Sequence, residues 1–177
     1  MLTLVLGGAR SGKSRHAQEL CGDARVRYIA TAPNTDDEEM HRRIELHRDV
    51  RPKRWETVEE PIDVLGAVKS ASPGAVVLLD CATLWLSNLL FEHRALSAGE
   101  REQRIITDVQ AVVDACSARK VIVVSNDVGS GVVPADPIAR EFRDLQGRAN
   151  QVLAVGASRV LWMVAGIPTV VKDESSA

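Results

Sequence analysis

The chain has 177 residues, 45% of them hydrophobic and 26% charged, with a formal net charge of −2. That length suits a single domain, residues 1–177, with a sizeable core, and the charge balance excludes the basic footprint of a nucleic-acid or acidic-membrane binder. Three widely spaced cysteines, Cys21, Cys81 and Cys116, form no CxxC pair and leave an odd number, so we expect buried thiols in a reduced, cytoplasmic setting. No apolar run approaches the roughly 18 residues that suggest a membrane span, and no cationic leader precedes one.

In chain order, "LTLVL" predicts a first strand, Leu2–Leu6, running into a glycine-rich turn and then a helix. A second strand is expected over Val26–Thr31. Asp36 to Asp49 reads as a helix with acidic residues in its first turn, ended by Pro52. On that helix Met40, Ile44 and His47 fall at i, i+4 and i+7 and share one face. "ASPG" at 71–74 reads as a turn before a third strand, Ala75–Asp80, and His93 closes the apolar segment that follows. "SAGE" at Ser97–Glu100 is a capping box for a helix through about residue 118. Lys120–Ser125 is the next strand. It leads into "NDVGSGVVP", where Gly129 and Gly131 permit close backbone approach to a ligand as readily as a plain connecting loop. Asp136 as N-cap and Pro137 at the first helical position start a helix to Ala154 or Val155, with Gly156 beyond its end. Arg140, Arg143 and Asn150 on that helix suit a ligand cleft or an exposed salt-bridging face. Arg159–Val164 is the last parallel strand, and Thr169–Lys172 follows "AGIP" so closely that only an antiparallel edge strand fits. The tail "KDESSA" is expected to fray. The strand runs are near-continuous rather than alternating, as for strands covered on both faces, so the fold class is α/β with a mostly parallel sheet.

The glycine-rich turn carries the clearest chemistry. Gly7, four residues, then Gly12, Lys13 and Ser14 is the P-loop spacing, placed between a strand and a helix as that motif requires. Backbone amides of Gly7, Gly8, Ala9, Arg10, Ser11 and Gly12 would surround phosphate oxygens. Lys13 would reach the β- and γ-phosphates, and Ser14 would help hold Mg²⁺. "AVVLLD" ends in Asp80, the carboxylate expected to hold the same metal through water from a neighbouring strand. His47, flanked by Arg48 and Arg51, suits an imidazole that attacks phosphorus while guanidiniums hold the anion, and equally a partly buried histidine beside surface arginines. His16, His41 and His93 lack such a setting.

Taken together, "GGARSGKSRHAQ", "YIATA", "RRIELHRDVRPKRWETVEEP", "LLDCATLWLSNLL", "VSNDVGSGVVP" and "REFRDLQGRANQ" resemble the bifunctional adenosylcobinamide kinase/adenosylcobinamide-phosphate guanylyltransferase family. The resemblance runs from the first strand nearly to the C-terminus. It implies a three-layer, RecA-like P-loop NTPase fold, a homotrimer, and two reactions of late adenosylcobalamin synthesis. ATP or GTP phosphorylates the aminopropanol hydroxyl of adenosylcobinamide, and GTP then donates GMP to that phosphate through a GMP–histidine intermediate, releasing pyrophosphate. The family's histidine matches His47, here preceded by Leu46 where some relatives carry a second histidine. By the same resemblance Ala30, Thr31, Ala32, Arg48, Asp49, Val50, Arg51 and Glu59 contact the guanine nucleotide, and Asp80 stands where some relatives have glutamate. A monofunctional P-loop kinase, with His47 structural, is the rival reading; a nucleotide-operated regulatory ATPase or GTPase is more distant.

Overall fold

A computed structural model describes residues 1–32 and 52–174. The expected helix over Asp36–Asp49, with His41, His47 and the arginines beside it, lies outside the described residues.

The described elements are β1 (Leu2–Gly7), α1 (Lys13–Cys21), β2 (Val26–Ala30), β3 (Glu56–Glu59), α2 (Val64–Lys69), β4 (Val76–Asp80), α3 (Ala82–Glu92), α4 (Ala98–Ala115), β5 (Val121–Val124), α5 (Pro137–Gly156), β6 (Arg159–Val164) and β7 (Ile167–Asp173), with a 3-10 turn at Cys116–Ala118. The strands form one seven-stranded sheet in the order β3-β2-β4-β5-β1-β6-β7. All pairings are parallel except β6 with β7, the antiparallel edge expected from the short turn.

Alternation within the apolar strands builds a core on each face. Val77 and Leu79 of β4, with Val121 and Val123 of β5, pack under α2, α3, α4 and α5. Their neighbours Val76, Leu78, Ile122 and Val124 face the other way, onto α1, Tyr28 and Trp55. Strands buried on both sides need apolar residues at every position, which is why they read as continuous runs.

Several expectations are corrected. Gly156 is not beyond α5 but its last residue. A Cβ there would run into Val113 Cγ1, so the glycine permits close packing against α4 instead of forming a left-handed cap. β3, "ETVE", was not anticipated, because an exposed edge strand needs no apolar run. Nor was α2, six residues long and started by Asp63, whose carboxylate accepts the Gly66 amide. Lys172 and Asp173 belong to β7, and the Glu174 amide bonds to the Ser158 carbonyl, so these tail residues are paired rather than frayed. The capping box at Ser97–Glu100 forms as read, and Cys21 and Cys116 are buried free thiols, with Cys81 half-buried. Among the described residues no helix is long and apolar enough to cross a membrane.

Candidate active site

β1 ends in the glycine-rich turn, and two of its glycines are required by geometry. Gly12 adopts φ +91, and a Cβ there would meet Gly166 Cα at 3.2 Å. At Gly7, φ +152, a Cβ would lie 2.7 Å from the Met163 carbonyl oxygen. Both positions press against the β6–β7 hairpin, so a side chain would push the turn off the sheet. Arg10 also takes a positive φ, 55°. The Ser11 carbonyl accepts the Gly166 amide at 3.0 Å, and the buried Ser11 hydroxyl has no partner. Ala9 and Arg10 are exposed, with Gly8 half-buried beside them.

α1 starts at Gly12 without a side-chain cap, so its first amides are free to meet an anion along the helix dipole. Lys13, only 7% exposed, folds back to donate from Nζ to the Gly8 carbonyl at 2.5 Å. Burial pulls its ammonium below the usual lysine range, opposed by Cys81 and the Asp80 carboxylate nearby. A buried cation on a glycine turn is costly unless an anion joins it.

Asp80 comes to this turn from an unexpected direction. Its strand, β4, does not adjoin β1; β5 lies between them. The expectation of a neighbouring strand is therefore corrected. α1 packs across β5 and β4, and this carries Ser14 over the strand between, so that its Oγ donates to Asp80 Oδ1 at 3.2 Å. Tyr28 Oη donates to the other oxygen, Oδ2, at 2.7 Å. A hydroxyl and a carboxylate at hydrogen-bond distance suit Mg²⁺, which takes oxygen ligands and retains several waters. Among the described residues no group of three or more His, Cys, Asp and Glu side chains forms a metal cage.

The carboxyl end of β2 joins the same edge. Thr31, fully buried, donates to the Cys81 carbonyl at 2.7 Å and accepts the Cys81 amide at 3.0 Å, fixing the residue after Asp80. Burial, reinforced by Asp80, pushes the Cys81 thiol up to about 11. Glu59 pairs in register with Ala30, and the Ala30 carbonyl accepts the Glu60 amide at 2.9 Å. Gly7–Ser14, Asp80, Ala30–Ala32 and Glu59 thus share one edge of the sheet. His47, Arg48, Asp49, Val50 and Arg51 lie outside the described residues.

Past β5, a buried polar cluster holds the next loop. Ser125 donates to Asn150 Oδ1 at 2.7 Å, and Gln146 Nε2 donates to both at 2.9 and 3.0 Å. Asn150 Nδ2 takes the Asn126 carbonyl at 3.0 Å, while the Asn126 amide donates to Thr83 Oγ1 at 3.0 Å. The Asp127 amide then reaches the Gly7 carbonyl at 3.2 Å. Asn150 therefore faces this edge from inside. Arg140 is occupied by the Pro134 and Ala135 carbonyls, and Arg143 pairs with Asp144. His16 sits against Glu19, and His93 is the C-cap of α3.

Tyr28 and Thr83 are the residues that sequence reasoning missed. One signal existed for the first: Tyr28 is the only tyrosine of the chain and lies in an apolar strand, where a buried phenol must find a partner.

The family model described as "Cobinamide kinase / cobinamide phosphate guanyltransferase" matches residues 3–171. Among curated relatives, the "Bifunctional adenosylcobalamin biosynthesis protein CobU" of Escherichia coli (strain K12) is 45% identical over 183 residues, covering 97% of this chain and 100% of the relative. The protein of the same description from Salmonella typhimurium is 43% identical over 183 residues, with the same coverage. "Bifunctional adenosylcobalamin biosynthesis protein CobP" of Pseudomonas aeruginosa is 41% identical over 179 residues, covering 98% of this chain and 99% of the relative.

Proposed function

The chain belongs to the cobinamide kinase / cobinamide phosphate guanyltransferase family, and from that premise we propose how its residues divide two reactions between them. The activity is bifunctional: adenosylcobinamide kinase and adenosylcobinamide-phosphate guanylyltransferase of late cobalamin biosynthesis, dependent on ATP or GTP.

In our reading the turn Gly7–Ser14 is a P-loop that holds the triphosphate of either nucleotide. The observation that carries it is the meeting of Ser14 Oγ and Asp80 Oδ1 at 3.2 Å beside the buried Lys13 and the uncapped start of α1. Lys13 would turn from the Gly8 carbonyl to the β- and γ-phosphates, where an anion repays its burial. Ser14 and, through water, Asp80 would hold Mg²⁺, which supplies neutralisation of phosphate charge when bound. For the kinase step the turn fixes the γ-phosphorus in line with the aminopropanol hydroxyl: the new O–P bond forms as the bond to the β–γ bridging oxygen breaks, and the hydroxyl proton is given up to water.

For the second reaction His47 attacks the α-phosphorus of GTP, a P–N bond forms, and pyrophosphate leaves. An oxygen of adenosylcobinamide phosphate then displaces the imidazole to give adenosylcobinamide-GDP. Arg48 and Arg51 are assigned to phosphate charge, and Ala30–Ala32, Asp49, Val50 and Glu59 to the guanine nucleotide. The finer fold reading, a RecA-like P-loop domain spanning residues 1–177, is supported by the glycine turn after β1 and by Asp80 on the strand beyond β5. The homotrimer is our reading of the family resemblance and the cytoplasmic setting our reading of three widely spaced cysteines; light scattering tests the first.

Incubation with GTP labelled at the α-phosphate is the test. Acid-labile, alkali-stable label on the protein, lost in His47→Ala while adenosylcobinamide phosphorylation persists, is the expected result. An unlabelled protein with active kinase would leave a plain small-molecule kinase.

A further inference from the structure

Exposed apolar side chains stand on, or at the element ends beside, both connections that flank the glycine turn. β5, β1 and β6 lie side by side and parallel, so the chain leaves all three at one edge with the turn in the middle. Beyond β5, Val132 is 96% exposed, Val133 59% and Ile138 57%; at the β6–β7 turn, Val164 is 53% and Ile167 68% exposed.

Both loops are fastened to the turn between them. Asp127 donates its amide to the Gly7 carbonyl, and Gly166 donates to the Ser11 carbonyl. The β5–α5 loop is also pinned within itself. The Asp127 carboxylate accepts the Gly129 amide at 3.0 Å and the Ser130 hydroxyl. At its far end, Arg140 donates to the Pro134 and Ala135 carbonyls at 2.9 and 2.6 Å. The buried Ser125–Gln146–Asn150 cluster anchors its root. The loop backbone is thus pinned by polar contacts on either side of Val132 and Val133, whose side chains stay exposed.

We propose that these two loops form the acceptor subsite, where the methyl-bearing rim of the corrin ring rests on Val132, Val133 and Ile138 on one side and Val164 and Ile167 on the other. The inference rests on the reading of the glycine turn as the triphosphate cradle. The acceptor hydroxyl hangs on a short aminopropanol arm from a macrocycle far wider than the turn. Bringing that hydroxyl in line with the γ-phosphorus lays the ring over whatever borders the turn. The segments that leave β5 and β6 on either side of it, each tied to it by a backbone bond, carry exposed apolar side chains among polar fastenings, a mix that suits a small-molecule site.

The test is the kinase reaction of the intact protein, with the double variant Val132→Ser/Val133→Ser and, separately, Ile167→Ser. Removing apolar contact from a bound ring raises KM for adenosylcobinamide about tenfold with kcat unchanged, the signature of lost uniform binding. KM for the triphosphate, labelling by α-labelled GTP and the subunit count by light scattering stay as in the unaltered chain, and that retained labelling also shows the variants folded. An unchanged corrinoid KM overturns the proposal. So does a parallel rise in nucleotide KM, or a changed subunit count, which would give these side chains to a second copy of the chain. Absence of GTP labelling in the unaltered protein overturns the guanylylation reading alone, because the acceptor KM is read in the kinase step.

Discussion

At the amino-terminal edge of the sheet, cations close off helix ends. Arg119 donates to the carbonyls of Val68, Lys69 and Ala71 at the end of α2. Arg27 spans the Ala67 carbonyl, the Ser70 hydroxyl and the Glu56 carboxylate, and the N-terminal ammonium bonds the Cys116 and Arg119 carbonyls. At the carboxyl-terminal edge Lys13 is more deeply buried, yet its ammonium bonds a turn carbonyl and makes no ion pair among the described residues. Cations at the first edge are saturated by the fold, which identifies them as structural. The cation at the second is buried without an ion-pair partner among the described residues, the setting that the proposed phosphate site requires.

Substitutions at the two edges should therefore separate activity from stability. Lys13→Met is expected to have the largest effect, lowering both phosphorylation and guanylylation at least about 100-fold through lost charge stabilisation. It should not destabilise. Burial holds the Lys13 ammonium below the ordinary lysine value, so the folded chain loses that proton before the unfolded one does. The charged form then costs stability at neutral pH, a cost that fades as pH rises through the depressed value toward the ordinary one. Thermal unfolding of Lys13→Met should match or exceed that of the parent at pH 7, with the advantage shrinking in alkali; a strongly destabilised variant would break the comparison.

Asp80→Asn comes next, with a rate loss of about 100-fold and a higher Mg²⁺ concentration for half-maximal kinase activity. Unaltered Mg²⁺ dependence would remove Asp80 from the metal. Tyr28→Phe deletes the hydroxyl that orients Asp80 and should cost about fivefold in rate, the worth of one ordinary hydrogen bond. Smallest on activity, and opposite in kind, is Arg119→Met. Rates should stay within about twofold, while urea denaturation shows a loss of about 1–2 kcal/mol from the guanidinium bonds lost at the end of α2. A kinetic defect there would erase the distinction between the edges.

The elements that were legible in the sequence are those whose signals are local. A strand covered on both faces must be apolar throughout, and Ser97–Glu100 or Asp136–Pro137 carry their helix start in four residues or fewer. Residues 56–59 and 64–69 gave no such signal. The first is an exposed edge strand that exists because β2 offers it hydrogen bonds, and the second is a single short helix held by packing of Val64 and Val68. Gly156 departs from the expected cap because a helix-end glycine has two uses, and only the position of Val113 decides between them.

The site divides along the same line. Glycine spacing after a strand is a backbone requirement written in consecutive residues, so the sequence by itself determined that a glycine-rich turn opens α1, where we propose the phosphates bind, and the unbroken apolar runs determined that the sheet is mostly parallel. Asp80 was recognised as a strand-end carboxylate, but only the strand order and the lie of α1 across β5 decided that it meets Ser14. The phenol of Tyr28 and the hydroxyl of Thr83 came into view the same way, since contacts between residues dozens of positions apart are fixed by packing and leave no period in the chain.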